Sequence, residues 1–431
     1  MNIVHIVPGS GGGFYCQNCV RDIGLAKTMR QAGHDTMFVP MYLPFMETPA
    51  DAGIAQAPVF YGAIGVYLIQ KFPALRRMPA FARRLLDAPV LLRRAARRAG
   101  TTAAGGLGEL TLSVLRGRDG RQRDELEQMI AWLKTQPAPD IVHFSNALLL
   151  GLAPALRETL GARIVCSLQD EETWLDALDD PYRDACWAAV REAARCVDLF
   201  LPVSAYYADK AREFLRLPDA RFRILPLGVD TDDFAPAPAP PEAPTLGFLA
   251  PWKPWSGLDV VAQAFVELKR KPELARLRLR VAGGDPARRN PFAKQCRRIV
   301  SEAGFANDAE FLDAHRQPAR GEFLRALTAF CLPAVQPEAG GMAPLEAMAC
   351  GVPVALPRLG VYPEIVAETD GGVLFEHSTP AELAAALHPL LTDPALARRH
   401  GQAGRTAVER KRSLTIMSQA ILNAYRDTER S

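Results

Sequence analysis

Short apolar runs alternate with helical periodicities along most of the chain. Residues 2–7 (NIVHIV) form a β-rich run, and a glycine-rich turn occupies residues 8–13. Gly33 is placed to end the helix that follows, and the apolar run 36–40 predicts a second strand. That helix is predicted because apolar residues recur at helical spacing: Ile23, Leu25, Ala26, Met29 and Ala32.

The same alternation returns after residue 139 and again after residue 245. The first series predicts strands at 141–144, 164–168, 199–203 and 222–225, and Ser204 is a candidate N-cap for the helix after the third of them. The second series predicts strands at 246–249, 277–282, 310–312, 330–334, 352–355 and 373–375. Strands that alternate with helices predict parallel sheets covered by helices on both faces.

A proline-rich segment, residues 235–244 (APAPAPPEAP), separates the two series. Such a segment cannot continue a helix or a central strand, so we interpret it as an interdomain linker. The predicted fold is α/β, with two Rossmann-like, doubly wound parallel-sheet domains facing a central cleft. The predicted bounds are 1–238 for the first domain, 242–410 for the second, and 411–431 for a last helix that packs back towards the first. Ligands bind at the carboxyl ends of the strands in such folds.

Composition narrows the class of protein. The chain has 431 residues, more than one hydrophobic core usually organises, with 48% hydrophobic and 23% charged residues. A net charge of +3 argues against a nucleic-acid binder driven by overall charge. No apolar run approaches the roughly 20 residues that span a bilayer, and the N-terminus lacks the basic region of a signal peptide. Eight scattered cysteines need no disulfide framework, so a cytoplasmic location is expected.

A helical insertion is predicted at about residues 60–120 of the first domain, and it carries the strongest charge feature. Residues 71–98 hold nine Lys or Arg and one acidic residue, Asp87, among leucines and phenylalanines. A basic amphipathic element of this kind can lie on an anionic membrane surface or bind an acidic acceptor. The alternative is an ordinary solvated helix face.

The most informative stretch is residues 337–353, PEAGGMAPLEAMACGVP. Gly340 and Gly341 allow the backbone to approach a ligand, and a helix is predicted to begin around Ala343. The N-terminus of that helix favours an anion such as a diphosphate. Glu346 could then accept two ribose hydroxyls while Glu338 faces a sugar. The alternative is that Glu346 only complements the helix dipole and Glu338 is solvated.

This stretch, with Glu338 and Glu346 separated by seven residues, resembles the donor-binding signature of glycosyltransferase family 4, whose members are retaining enzymes of the GT-B fold. Further segments resemble that family in the expected order: LAKTMRQAGHD after the glycine turn, ILPLGVDTDDF before the linker, and GFLAPWKPWSGLDVVAQAF after it. The resemblance implies transfer of a sugar, with retention, from a nucleotide-diphosphate donor to a hydroxyl acceptor. It also implies no metal and no cofactor beyond the donor. Family members often act on lipid-linked or cell-envelope acceptors, which favours residues 71–98 as a membrane-facing element.

The same resemblance implies roles for individual residues. Glu346 would bind the donor ribose and Glu338 would contact the transferred sugar. The remaining predicted contacts are backbone or first-domain groups near the sugar and phosphate: Gly12, Gly13, Gln169, Asp170, Gly340, Gly341, Met342 and Ala343. Gln169 and Asp170 stand where many relatives have a histidine.

The chain departs from the family at the diphosphate cations. Pro251 stands at the usual arginine position and Ser256 at the usual lysine position, where Ser256 is expected to contact the donor. Lys253 lies between them and could substitute as the catalytic cation. Loss of one electrostatic donor commonly raises the activation barrier by ~3–4 kcal/mol, so a chain without these cations could have lost its catalytic activity. The alternative is therefore a non-catalytic GT-B-like binding or scaffold protein.

Cys16 and Cys19 form a CxxC pair at the entry to the first helix. One interpretation is a redox pair with a thiolate stabilised by the helix N-terminus. We favour the other, in which the thiols pack or line the acceptor side of the cleft.

Overall fold

The computed structural model describes residues 1–9, 15–43, 55–62, 105–284, 290–314 and 318–428. They form two compact units, Met1–Leu225 with Ser418–Ser431 and Pro226–Met417. Most of the insertion, including residues 71–98, and the turn that contains Gly12 and Gly13 lie outside the described residues.

The first unit alternates strands and helices, as the apolar pattern predicts. Its strands are β1 Asn2–Val7, β2 Asp35–Pro40, β3 Ala55–Gln56, β4 Ile141–Phe144, β5 Arg163–Leu168 and β6 Leu199–Pro202. Its described helices are α1 Gln17–Gln31, α2 Gly108–Leu115, α3 Arg123–Leu133, α4 Ala153–Leu160, α5 Glu171–Leu175, α6 Tyr182–Ala194 and α7 Ala205–Leu215. Ser204 caps α7 as predicted, because its side chain accepts a hydrogen bond from the backbone N–H of Tyr207.

The first sheet has the order β3-β2-β1-β4-β5-β6, and each of its paired neighbours is parallel. Every residue of β4 is buried, which explains its continuous apolar run IVHF. The strand order reverses between β1 and β4, so the topological switch point lies at the carboxyl ends of these two strands.

The second unit repeats this architecture. Its strands are β7 Thr245–Leu249, β8 Arg278–Ala282, β9 Ala309–Phe311, β10 Ala329–Cys331, β11 Val354–Pro357 and β12 Gly372–Phe375. Its helices are α8 Leu258–Lys269, α9 Pro291–Glu302, α10 Ala319–Arg325, α11 Met342–Ala349, α12 Tyr362–Thr369, α13 Pro380–Thr392 and α14 Pro394–Lys411. The parallel sheet has the order β12-β11-β10-β7-β8-β9, with its switch point between β7 and β10.

Three predicted strands differ in the structure, and the one predicted at 352–355 lies two residues later, at Val354–Pro357. Residues 222–225 form no regular strand: Phe222 makes one isolated parallel bridge to Phe200, and Leu225 donates a backbone hydrogen bond to Pro202. Pro226 follows at once and has no N–H to continue the ladder. The strand predicted at 330–334 ends at Cys331, because Pro333 likewise cannot donate to a ladder.

The proline-rich segment 235–244 lies inside the second unit, whose boundary with the first falls between Leu225 and Pro226. It lines a cavity together with Arg325, Cys350 and residues of α14. Arg405 of α14 donates to the backbone oxygen of Phe234, just before the segment. Residues 235–244, which composition alone predicts to be a linker, therefore pack against the second unit.

The last helix, α15, spans Leu414–Asp427, and its residues from Ser418 onward belong to the first unit. Tyr425 of this helix is fully buried, and its hydroxyl lies 2.6 Å from Nδ1 of His143 in β4. Arg163 of β5 also donates to the backbone oxygen of Tyr425. These contacts anchor the end of the chain on the first sheet.

Candidate sugar-transfer site

Arg21 organises the carboxyl edge of the first sheet. It lies in α1 and is 1% exposed. Its guanidinium donates to Oδ1 of Asp22 at 2.9 Å, to the backbone oxygen of Ser145 at 2.6 Å, and to Oε1 of Gln169 at 3.0 Å. Ser145 follows β4 and Gln169 follows β5, so one buried side chain joins the ends of neighbouring strands at the switch point.

Asp170 takes a strained backbone conformation next to Gln169, with φ of 61° in the left-handed region. The buried carboxylate of Glu171 holds this turn, since it accepts hydrogen bonds from the backbone N–H groups of Gln169 and Ala147. Burial raises the pKa of Glu171, against the lowering effect of the Tyr207 hydroxyl. The structure thus positions the two first-domain residues predicted to face the sugar.

A pair of neutral histidines lies beneath this edge. His5 and His143 stack with ring centroids 4.5 Å apart, and both side chains are fully buried. Burial lowers the pKa of His5 to about 4, against the nearby carboxylate of Asp22, and burial also lowers the pKa of His143. Each ring also packs against another buried aromatic side chain, His5 against Phe38 and His143 against Tyr425.

In the second unit, the loops after β7 and β10 flank the switch point and contact each other. The backbone N–H of Val335 donates to the oxygen of Trp255 at 2.9 Å. A Cβ atom at Gly257 would lie 2.0 Å from the oxygen of Pro333, so the loops approach too closely for a side chain there. The first loop carries Lys253 and the second carries Glu338.

The loop after β10 leads directly into α11, which begins at Met342, one residue before the predicted start at Ala343. Gly341 is its N-cap, with φ of 66°, a conformation that glycine adopts at low cost. Glu338 is 8% exposed, and its backbone oxygen accepts a hydrogen bond from the N–H of Val361. The predicted group of Glu338, Gly340, Gly341, Met342 and Ala343 therefore occupies one buried loop and helix start.

Glu346 is fully buried in α11 and pairs with Arg320 of α10, with Nη2 and Oε1 3.2 Å apart. Arg320 also lies over the ring of Phe234, 5.4 Å from its centroid. Burial raises the pKa of the Cys350 thiol to about 12, and the negative charge of nearby Glu346 contributes to this shift. Sequence reasoning missed Arg320, because nothing in its local pattern indicates a contact with a glutamate in another helix.

The loop after β7 contains the positions at which the chain departs from the family: Pro251, Lys253 and Ser256. Lys253 is half-buried, whereas Ser256 is fully buried and its hydroxyl donates to the backbone oxygen of Lys253 at 2.7 Å. This bond closes the short 3₁₀ helix Pro254–Ser256. Trp252 packs in the core of the unit against Phe311 and donates to the oxygen of Ala282. Lys253 is thus the charged side chain of this loop.

Cys16 caps the N-terminus of α1. Its Sγ accepts a hydrogen bond from the backbone N–H of Cys19 at 3.4 Å, and both residues are half-buried. Both stay unbridged, as do the other six cysteines. Cys16 is therefore the N-cap of α1.

Two kinds of feature are absent from the part of the chain that the structure describes. No three His, Cys, Asp or Glu residues there are grouped so as to hold a metal ion. No helix there is long and apolar enough to cross a membrane.

Two known families of glycosyltransferases resemble different parts of this chain. The sequence model of Glycosyltransferase Family 4 matches residues 106–233, and that of Glycosyl transferases group 1 matches residues 229–407. A GDP-mannose-dependent alpha-(1-6)-phosphatidylinositol monomannoside mannosyltransferase of Mycolicibacterium smegmatis is 30% identical over 62% of this chain and 71% of its own length. The chain belongs to glycosyltransferase family 4.

Other comparisons agree with this assignment. A D-inositol 3-phosphate glycosyltransferase of Acidothermus cellulolyticus is 30% identical, and the shared region covers 49% of this chain and 48% of that relative. The crystal structure of HepE from Anabaena in complex with UDP and glucose aligns with a TM-score of 0.72. That alignment covers 99% of this chain and all of HepE at 14% identity, which shows the shared GT-B fold. This family 4 protein is a nucleotide-sugar glycosyltransferase, and no comparison favours a non-catalytic binding or scaffold protein.

Proposed function

We propose that this glycosyltransferase moves a hexose, with retention of configuration and without a metal ion, from a nucleotide-diphosphate donor to a lipid-linked or cell-envelope acceptor hydroxyl. The bond from the acceptor oxygen to the anomeric carbon forms as the bond to the diphosphate oxygen breaks. The acceptor proton passes to the leaving diphosphate. Such chemistry requires positioning and charge stabilisation rather than a protein nucleophile.

The observation that carries this proposal is the pair of joined loops at the switch point of the second sheet. One loop supplies Lys253, and the other supplies Glu338 and the N-terminus of α11. A cation and a helix N-terminus are complementary to a diphosphate. Glu346, four residues into α11, would accept the ribose hydroxyls. Lys253 would therefore replace the cations that Pro251 and Ser256 do not supply.

The relatives guide the proposal for donor and acceptor. The mannosyltransferase is named as GDP-mannose-dependent and acts on a phosphatidylinositol monomannoside, and the other relative is named for D-inositol 3-phosphate. GDP-mannose and inositol-containing lipids are accordingly the first substrates to test. A cytoplasmic enzyme at the inner face of the membrane, held there by basic residues 71–98, fits such a lipid acceptor.

A calorimetric and thermal-shift screen against UDP, GDP, ADP and their sugars tests the donor site. One nucleotide should bind and raise the apparent stability by RT ln(1 + [L]/Kd). Glu346→Ala should abolish that binding, whereas Glu267→Ala, at an exposed position of α8, should not. Lys253→Ala should weaken the binding of the nucleoside diphosphate more than the binding of the corresponding nucleoside.

Two further measurements test the chemistry. The product of transfer should have the anomeric configuration of the donor sugar by NMR, and chelators should leave the rate unchanged. Failure of the wild-type protein to bind any nucleotide diphosphate would refute the proposed donor site. An inverted product would refute retention.

A further inference from the structure

Two cysteines share one face of the first turn of α1. Cys16 is the N-cap residue and Cys19 is the third residue of the helix, so they stand three positions apart. Side chains at this spacing are neighbours on a helix surface. A helical turn holds Cα atoms three residues apart at roughly 5 Å, which lies within the range that disulfides span. The backbone therefore allows a bond between the two sulfurs.

The sulfur of Cys16 lies where a helix N-terminus favours negative charge. It accepts a hydrogen bond from the backbone N–H of Cys19, with N and Sγ 3.4 Å apart. The N–H groups and the dipole at a helix N-terminus stabilise a thiolate over a thiol. No acidic side chain stands in the first turn of α1 to oppose this effect. The helix therefore favours Cys16 as the more reactive of the two sulfurs.

The two cysteines have different surroundings. Cys19 packs against the core cluster of Val7, Ala26 and Phe38, so the packing that the sequence favours accounts for this residue. Packing does not account for the sulfur of Cys16, which is held at the helix cap instead. Both residues are half-buried and keep part of their surface exposed. One reactive sulfur beside a second that packs on the core suits a pair in which one attacks and the other resolves.

The remaining six cysteines contrast with this pair. Five are buried, and burial raises the pKa of each thiol: Cys166, Cys186, Cys296, Cys331 and Cys350. A raised pKa keeps a thiol protonated and unreactive. Cys196, just after α6, is half-buried like the pair but has no second cysteine close to it in the sequence. It serves below as an internal reference.

We propose that Cys16 and Cys19 form a thiol–disulfide exchange site, in which Cys16 attacks a low-molecular-weight disulfide and Cys19 resolves the product. The Cys16 thiolate attacks one sulfur of that disulfide, forms a mixed disulfide and expels the first small thiolate. The Cys19 thiolate then attacks Sγ of Cys16, closes the bond between the two cysteines and expels the second. The protein loses two electrons and two protons, and the small disulfide gains them as two thiols. None of these steps depends on the proposed transfer of a sugar.

Oxidation of the full-length protein in mixtures of oxidised and reduced glutathione tests the site. Oxidising mixtures should remove two hydrogens from the intact mass, and peptide mapping should place one bond between Cys16 and Cys19. Reducing mixtures should reverse the change. A pair that stays reduced in excess oxidised glutathione, or a protein modified first at Cys196, would overturn the inference.

Single substitutions assign the two roles. In Cys19→Ser the mixed disulfide cannot be resolved, so glutathione should accumulate on Cys16. Cys16→Ser keeps a good N-cap, and its remaining Cys19 should react with oxidised glutathione about tenfold more slowly, or slower still. Cys196→Ser is the matched control and should form the bond of the pair as the wild type does. Equal rates at Cys16 and Cys19 in their two variants would overturn the assignment of Cys16 as the attacking thiol.

Alkylation of the wild-type protein needs no substitution, in case Cys19→Ser does not fold. At pH 7 and with both cysteines reduced, Cys16 should react with iodoacetamide about tenfold faster than Cys196, or faster still. In urea the two rates should converge, because the helix that stabilises the thiolate is lost. Equal rates in the folded protein would overturn the role given to the helix N-terminus.

Discussion

Arg320 and Glu346 form a buried ion pair of 3.2 Å between two helices of the second unit, at the glutamate proposed to bind the donor ribose. Their side chains are 6% and 1% exposed, so water screens this pair very little. The contact places the guanidinium of Arg320 next to one carboxylate oxygen of Glu346. Arg320 is therefore a candidate for pre-organising the donor site.

Arg320→Met should destabilise the protein by about 3–5 kcal/mol, because it leaves the carboxylate of Glu346 buried without its cation. Urea denaturation followed by circular dichroism measures this loss. Arg320→Met combined with Glu346→Leu should recover most of the stability, since no buried charge remains, but should not recover nucleotide binding. A double variant as unstable as Arg320→Met would show that packing, not charge, is at issue.

Gly341→Ala should abolish donor binding and destabilise the second unit. Gly341 has φ of 66°, and a Cβ atom there would lie 2.5 Å from Cδ1 of Ile365. The left-handed backbone alone costs roughly 1–2 kcal/mol for alanine, and the clash adds to it. Gly33→Ala is the control: φ there is 82° but no atom lies within 4 Å of the new Cβ. Equal losses in the two variants would contradict a role for the clash.

Acid should destabilise the first unit through its buried histidines. The folded pKa of His5 is about 4 and the ordinary value is 6.5, so the unfolded chain binds a proton more readily between these values. The free energy of unfolding should therefore fall as pH drops from 6.5 towards 4, by about 3 kcal/mol for His5 alone. The lowered pKa of His143 acts in the same direction.

His5→Phe keeps an aromatic ring stacked on His143 and removes one titrating group. Denaturation curves between pH 4 and 8 should show a shallower loss of stability on acidification than in the wild type. An unchanged pH dependence would assign the acid lability to groups other than His5.

Tyr425→Phe should destabilise the first unit by about 1–2 kcal/mol, because Nδ1 of buried His143 loses the hydroxyl 2.6 Å away. Thermal denaturation gives the magnitude. Tyr182→Phe is a suitable control, since no hydroxyl bond of Tyr182 exists within the described residues. A loss as large in the control as in Tyr425→Phe would argue against the bond.

The repeated strand-and-helix pattern was sufficient to predict two parallel sheets. Strands β1 and β4 begin and end where the apolar runs indicate, because a strand buried on both faces needs a continuous apolar segment. The pattern failed at residues 222–225, whose apolar character serves packing beside Phe200 rather than a ladder. Apolar runs report burial, and burial does not require a regular strand.

The sequence by itself determined the fold class, the helix start that contains Gly341, and the pair Glu338 and Glu346, because these depend on neighbours along the chain. Only the tertiary structure decided that Arg320 pairs with Glu346 and that Arg21 donates a hydrogen bond to Gln169. Each of those contacts joins different elements through a buried guanidinium. The partner of each arginine depends on how helices and strand ends pack together in three dimensions. The spacing of residues along the chain does not reveal that packing.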